Sequence, residues 1–234
     1  MTSAQLDRLG ERLKGGNLSK SDLITLATFR NEFISSTNIV AARLASAIRA
    51  FKADITQRPA KSTPSIIAKL QRESVRLTQI QDIGGVRVVV SKVSVQDRVV
   101  VMLRDMYRDA RIIDRRVRPQ HGYRAVHVVV IESGHYVEIQ VRTRMQNEWA
   151  QLSEKLADVH DQTIKYGGGP KPILDELRYL TQYCATVEQR EVVLDEYKRA
   201  GKCAKPRKAC RSHGRLRPGP PKKLSATFDR KAKC

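Results

Sequence analysis

His135-Tyr136-Val137-Glu138-Ile139-Gln140-Val141-Arg142-Thr143 (HYVEIQVRT, 135–143) alternates apolar and polar side chains from Val137 to Arg142. Successive side chains of a β-strand face opposite sides, so Val137, Ile139 and Val141 pack on one face while Glu138, Gln140 and Arg142 share the other. Two further segments have strand character: QDIGGVRVVV (81–90), whose run from Val86 to Val90 is interrupted only by Arg87 and reads as buried, and GYRAVHVVV (122–130). Asp82 stands at the start of the first, beside Gly84 and Gly85, which remove side-chain bulk and permit close backbone or ligand approach.

If these strands pair, Asp82 and Glu138 are placed to hold one Mg²⁺, a hard cation bound by one or two carboxylates with substrate phosphates completing its shell. Such an ion orients and neutralises a polyphosphate. Taken alone, each acid is more often a solvated edge charge or an ion-pair partner, here for Arg87 or Arg142. Upstream, Lys61, Ser65 and Lys69 recur every four residues, so a helix opened by Ser65 to Leu70 behind Pro64 turns its first amides and both lysines toward one anion. Guanidinium groups stay charged and stack on aromatic planes, so Arg58 and Arg87 are able to clamp a purine. The ordinary alternatives are a solvated helix face for the lysines, a strand-edge ion pair for the arginines, a core aromatic for Tyr123, a hydrogen-bonded strand histidine for His127 and a surface amide for Asn147.

Helical periodicity fills the intervals. Leu6, Leu9 and Leu13 form a short amphipathic turn, and Ser19-Lys20-Ser21-Asp22 caps an apolar-rich stretch from Leu23 to Phe51. Val95 to Arg108 places Val99, Leu103 and Met106 on one side, which predicts a strand–helix–strand unit. From Met145 to Ala157, Trp149, Leu152 and Leu156 supply a core face. Tyr166-Gly167-Gly168-Gly169-Pro170 breaks the chain before a last helix, Ile173 to Tyr197, which packs on the domain or on another subunit of a homo-oligomer. The expected fold is α/β (α+β), a mixed β-sheet flanked by helices. Its divisions are an N-terminal helical region 1–52, a core 53–165, a C-terminal helix 166–197 and a basic tail 198–234.

QDIGGVR, then a proline loop into GYRAVH, then VEIQVRT followed by MQNEWAQLSE, resembles in order the synthetase domain of the RelA/SpoT family, above all its small single-domain alarmone synthetases, over roughly 58–155. The resemblance implies a nucleotidyltransferase-like fold and a GTP diphosphokinase: Mg-ATP gives its β,γ-diphosphate to the 3′-hydroxyl of GTP or GDP, yielding AMP and the alarmone (p)ppGpp of the stringent response. It implies that Asp82 and Glu138 are the Mg²⁺ carboxylates, with Glu138 also activating the attacking hydroxyl. It implies that Arg58, Lys61, Ser65, Lys69 and Arg87 bind ATP, and that Tyr123 stacks on the guanine, with His127, Arg142 and Asn147 on the same acceptor side. Two stretches depart from the family pattern. Arg58-Pro59-Ala60-Lys61 is one residue longer than the usual spacing, and the acceptor loop, Asp114 to Tyr123, is one residue shorter and has Gln120 where a lysine follows the proline. Arg115, Arg116 and Arg118 are the candidates to replace that charge. The altered loop, with the basic tail, keeps open a tRNA 3′-end pyrophosphokinase of the toxic small alarmone synthetase type; a second alternative is a catalytically silent nucleotide- or RNA-binding regulator, against which the retention of both Asp82 and Glu138 argues. The five histidines, at 121, 127, 135, 160 and 213, do not furnish the metal site of the hydrolase domain of longer relatives.

Charge is concentrated at one end. Residues 198–234 carry fourteen Lys or Arg against one Asp, a net +13 of the whole chain's +20. With few apolar residues and Gly, Pro and Ser throughout, that tail is expected to be disordered, and two readings compete: weak binding of RNA or another polyanion, which is favoured, and a solubilising extension with no dedicated partner. Cys184, Cys203, Cys210 and Cys234 make no disulfide framework, and Cys203, Cys210 and His213 do not have the spacing of an ordinary zinc site. No apolar run approaches the roughly 18–20 residues of a membrane span, and the N-terminus lacks the apolar stretch of a signal peptide. The expectation is a soluble, cytoplasmic protein with no membrane partner.

Overall fold

The computed structural model describes residues 1–16, 18–58 and 60–203. Five strands form one mixed sheet: β1 (Asp54–Arg58), β2 (Gly84–Val90), β3 (Arg111–Asp114), β4 (Val126–Glu132) and β5 (His135–Thr143), in the order β1-β2-β5-β4-β3. β2 and β5 run parallel, and the other neighbours are antiparallel. The register sets Gly85 beside Glu138, Arg87 beside Gln140 and His127 on the far side of Gln140. Alternation then divides the sheet. Val86, Val88, Val126, Val128, Val137, Ile139 and Val141, each fully buried, face helices α2 (Lys20–Ala47) and α4 (Val93–Met106). Each such side chain contributes about 1.5–3 kcal/mol on burial, so a one-residue slip of register would expose a whole row.

α2 starts where the capping signal lies: Ser19 accepts from the Asp22 amide, and Asp22 reaches back to the Ser19 amide. Its first half and α1 (Ser3–Gly15) share a second core with α3 (Thr63–Arg72), in which Leu6, Leu9 and Leu13 meet Phe29, Ile66 and Leu70. α5 (Arg144–Val159) follows β5 directly, capped by Thr143 and Gln146. A short turn, Gln162–Tyr166, leads to α6 (Lys171–Cys203), which returns along α5 and α4.

The expected mixed sheet with flanking helices and helical extensions is present, with four local corrections. β1 and β3 are strands that the pattern did not announce, because both edges are short and largely exposed or half-buried. Residues 122–125 are loop, and β4 begins only at Val126. Met106 and Leu152 are each 38% exposed, since α4 ends at Met106 and the buried side of α5 is formed by Trp149, Ala150, Ser153 and Ala157. α6 continues to Cys203, past the predicted end at Tyr197. Cys210, His213, Cys234 and most of the basic tail lie outside the described residues, and so do the readings attached to them. Among the described residues, no helix is long and apolar enough to cross a membrane.

Candidate active site

The other face of the sheet is polar along one row. Asp82 lies two residues before β2, where Lys61 Nζ donates to its Oδ2 at 2.8 Å and Lys69 Nζ to its Oδ1 at 3.0 Å. Burial alone would push the Asp82 carboxyl up, but the two ammonium groups overcome it and hold the group at about 2. The two lysines do not converge by lying on one helix. Lys61 precedes α3, its amide bonded to Ile83 O at 2.9 Å, and only Lys69 projects from the helix. Ser62, one residue beyond Lys61, caps α3. Ser65 is exposed in the first turn, its hydroxyl accepting from Ser62 Oγ at 2.9 Å, and it is not among the groups that meet Asp82.

Gly84 explains how β2 is held under this row. A Cβ there would collide with Thr37 Oγ1 of α2, whose hydroxyl donates to Phe33 O at 2.7 Å, so only glycine lets the helix approach this closely.

Glu138 belongs to a closed circuit of side chains. His127 Nδ1 meets its Oε1 at 2.6 Å, and Gln140 Nε2 donates to its Oε2 at 2.6 Å. Arg142 Nη2 donates to Gln140 Oε1 at 2.8 Å and to Tyr123 Oη at 3.0 Å, and Tyr123 Oη meets His127 Nε2 at 2.9 Å. The proton inventory has a consistent solution. A carboxylate only accepts, so His127 donates from Nδ1; Tyr123 accepts from Arg142 and donates to the free Nε2. Burial pushes the Tyr123 phenol up, which keeps that donor proton in place. Burial also works against the Glu138 charge, yet the His127 bond and the Gln140 amide bring its carboxyl below the usual range. Arg58 Nη1 adds a longer contact to Glu138, at 3.4 Å.

Positive charge exceeds negative along the row. Arg142 is 2% exposed, and its Nε has no partner among the described residues. Arg87 Nε is likewise unpaired, and burial, with Arg142 and Arg58 nearby, makes its charge costly. Arg142 and Arg58 line the cleft, where guanidinium groups suit an anionic, planar ligand. Arg142 Nη1 also reaches Asn147 Oδ1 on α5, at 3.4 Å.

The structure thus brings Asp82, Glu138, Arg58, Tyr123, His127 and Arg142 to one cleft of about 230 Å³, roofed by Lys165 and Tyr166. Lys61 and Lys69 stand against it through Asp82. A second cleft of about 550 Å³ lies beyond Lys69 and is lined by Arg111, Arg115 and Tyr136. Of the loop arginines, Arg116 is committed elsewhere, bound to both oxygens of Asp114 and to Asp97. Arg118 is exposed. Gln140, with no assigned role in the sequence, proves to couple Glu138 to Arg142; its place on their shared face was the available signal. Arg111 and Lys165 had no such signal, because only the sheet edge and the turn after α5 bring them in.

The fold is thus a mixed α/β sheet with a basic, carboxylate-bearing cleft on one face. Residues 58–159 match the family described as "Region found in RelA / SpoT proteins". The chain is 38% identical over 123 residues to the uncharacterized protein Rv1366 of Mycobacterium tuberculosis, covering 51% of this chain and 45% of that one. It is 31% identical over 123 residues to the GTP pyrophosphokinase YjbM of Bacillus subtilis, covering 46% and 55%. The chain therefore spans about half the length of the curated relatives it matches. The fold is similar to that of small alarmone synthetase 1 from Bacillus subtilis bound to its product pppGpp, with a TM-score of 0.62 at 20% identity over 75% of this chain and 98% of that one. A GTP pyrophosphokinase family protein from Streptococcus pneumoniae gives a TM-score of 0.61 at 24% identity, over 81% and 100%.

Proposed function

We infer that this protein is a (p)ppGpp synthetase that moves the β,γ-diphosphate of ATP to the 3′-hydroxyl of a guanine nucleotide. The observation that carries the reading is the convergence of Asp82 and Glu138 on one cleft, with Lys61 and Lys69 behind Asp82 and three guanidinium groups on the same sheet face. Two ionised carboxylates facing a shared cleft are the donor set Mg²⁺ takes when phosphates complete its shell. Asp82 and Glu138 would hold that ion, which supplies charge neutralisation on the phosphate oxygens.

The chain's own groups do the rest. Arg58 and Arg87 border the β1–β2 side of the row and are placed to clamp adenine, while Lys61 and Lys69 offset phosphate charge. Tyr123 offers its ring to the acceptor base, with Arg142 and Asn147 behind it, and Arg115, lining the second cleft beside Lys69, is placed to meet the acceptor's phosphates. The acceptor 3′-oxygen forms a bond to the β-phosphorus of ATP as the bond from that phosphorus to the α–β bridging oxygen breaks, and AMP departs. The hydroxyl proton passes to Glu138, whose carboxylate His127 and Gln140 keep ionised and aimed. Positioning and electrostatics supply most of such a rate enhancement.

The test is product formation. Protein incubated with Mg²⁺ and ATP labelled in its β- and γ-phosphates is offered GTP, GDP or tRNA in parallel. A doubly labelled guanosine product with AMP release is expected, and Glu138→Gln should lower its rate by about 10²–10⁴-fold, the range for a positioned general base. Labelled tRNA would move the acceptor to RNA. Nucleotide binding without AMP release would make the protein a silent binder, and a fully active Glu138→Gln protein would remove Glu138 from the chemistry.

A further inference from the structure

The loop from 115 to 125 carries Tyr123, and α6 holds it from outside the sheet. Arg124, the next residue, turns away from the cleft and donates to Glu188 of α6, from Nε at 3.0 Å and from Nη2 at 2.6 Å to Oε2. Glu188 is 7% exposed, and its Oε1 accepts from Gln146 Nε2 at 2.8 Å. Gln146 Oε1 accepts in turn from Gln96 Nε2 at 2.8 Å, and Gln96 Oε1 accepts from Arg116 Nη1 at 3.1 Å, at the other end of the same loop. One buried polar chain therefore joins both ends of the acceptor loop through α6, α5 and α4. Midway, Gly122 has φ +89°, and a Cβ there would strike Thr181 Oγ1 of α6 and come within 2.8 Å of Trp149.

A buried carboxylate–guanidinium pair is a poor source of stability, since desolvation cancels most of its attraction and an apolar pair of similar volume packs as well. What its two-pronged geometry supplies is a fixed position. Glu188 touches none of the groups facing the cleft, so the transfer chemistry alone gives no reason for it. Fixing Arg124 does give one: Tyr123 and Arg124 are consecutive residues directed to opposite sides, so holding one side chain sets the other.

We propose that α6 completes the acceptor side of the site, with Glu188 as a positioning residue that acts through Arg124 to set the Tyr123 ring. The inference rests on the reading of this cleft as a pyrophosphoryl-transfer site, and it makes the C-terminal helix a determinant of acceptor recognition.

The test uses the full chain, with separate KM values for ATP and for the guanine nucleotide. Glu188→Gln is expected to raise the acceptor KM about tenfold while kcat and the ATP KM stay within about twofold, the pattern of a lost ground-state binding contribution. Glu188→Asp should recover part of the loss. The double variant Arg124→Met with Glu188→Met should melt near the parent temperature and keep the acceptor defect, which separates position from stability. Asp195→Asn, which loosens α6 at its tether to Lys92 and Ser94, away from the loop, should leave the acceptor KM unchanged. A second readout is independent of turnover. Trp149 is the sole tryptophan, 7% exposed and 6.5 Å from the Tyr123 ring, so its acrylamide quenching should rise in Glu188→Gln and not in Asp195→Asn. Unchanged acceptor KM and unchanged quenching in a folded Glu188→Gln protein would overturn the proposal, as would an equal loss in kcat and in both KM values. If the parent transfers to no acceptor, the reading of the cleft falls, and the quenching comparison alone then decides whether Glu188 sets the loop.

Discussion

Replacing Gln140 with leucine removes the amide that joins the two buried charges of the circuit while keeping side-chain volume nearly constant. Gln140 donates to Glu138 Oε2 at 2.6 Å and accepts from Arg142 Nη2 at 2.8 Å, and Glu138 and Arg142 are 8% and 2% exposed. Hydrogen bonds to charged groups are each worth about 1.5–3 kcal/mol, so the pair contributes at least about 3 kcal/mol. Burial of the leucine returns roughly 1 kcal/mol of that through the extra apolar area. Glu138 keeps His127 and the long Arg58 contact, but Arg142, whose Nε is already unpaired, is left with Tyr123 and a 3.4 Å contact to Asn147. A net loss of about 2–5 kcal/mol should lower the melting temperature by at least about 4 °C for a chain of this size. Far-UV circular dichroism on heating, with urea midpoints as a second measure, reads it directly. A variant that melts within about 2 °C of the parent would show that the circuit is not a mutually supporting unit, since two lost hydrogen bonds to buried charges cost more than that.

Two further outcomes follow from the row beside it. Asp82 is held at about 2, below its ordinary 3.8, by Lys61 and Lys69 against the upward push of burial. A carboxyl whose folded value is depressed lends stability that is complete above its unfolded value and is lost as pH falls toward the folded one. Asp82→Asn should therefore flatten the dependence of the urea midpoint on pH between about 4 and 2, and an unchanged slope would remove Asp82 as a contributor to acid unfolding. Gly84→Ala should cost about 1–3 kcal/mol by overpacking against Thr37. Combining it with Thr37→Ala should restore part of that loss, and purely additive effects in this double-mutant cycle would refute the contact.

What was legible in the sequence and what was not divides along the range of the interactions. Alternation in HYVEIQVRT placed Glu138, Gln140 and Arg142 on one face because strand periodicity is local, and the parallel pairing of β2 with β5 then brought Asp82's segment beside it as expected. Ser19 and Asp22 announced the start of α2 for the same reason, since a capping box is complete within four residues. β1 and β3 stayed hidden because an edge strand buries little and so has no reason to alternate cleanly. Lys61 and Lys69 converge on Asp82, but not in the way their equal spacing suggested: it pointed to one helix face, whereas Lys61 reaches Asp82 from the extended segment that pairs with Ile83.

The acceptor side was the least legible, because what shapes it is distant in sequence. Arg124 and Glu188 are 64 residues apart, and Gln96 and Gln146 are 50. Read locally, Glu188 is one more acid on a long charged helix, which solvent would ordinarily satisfy. Only the packing of α6 against α4 and α5 removes that solvent, and once it is gone the carboxylate must find a cation or lose its charge. The cation it finds is the neighbour of Tyr123. The loop that carries Tyr123 is thus anchored by an element outside the family-matched segment. Acceptor choice in this protein should therefore vary with changes in α6 that leave every residue facing the cleft untouched.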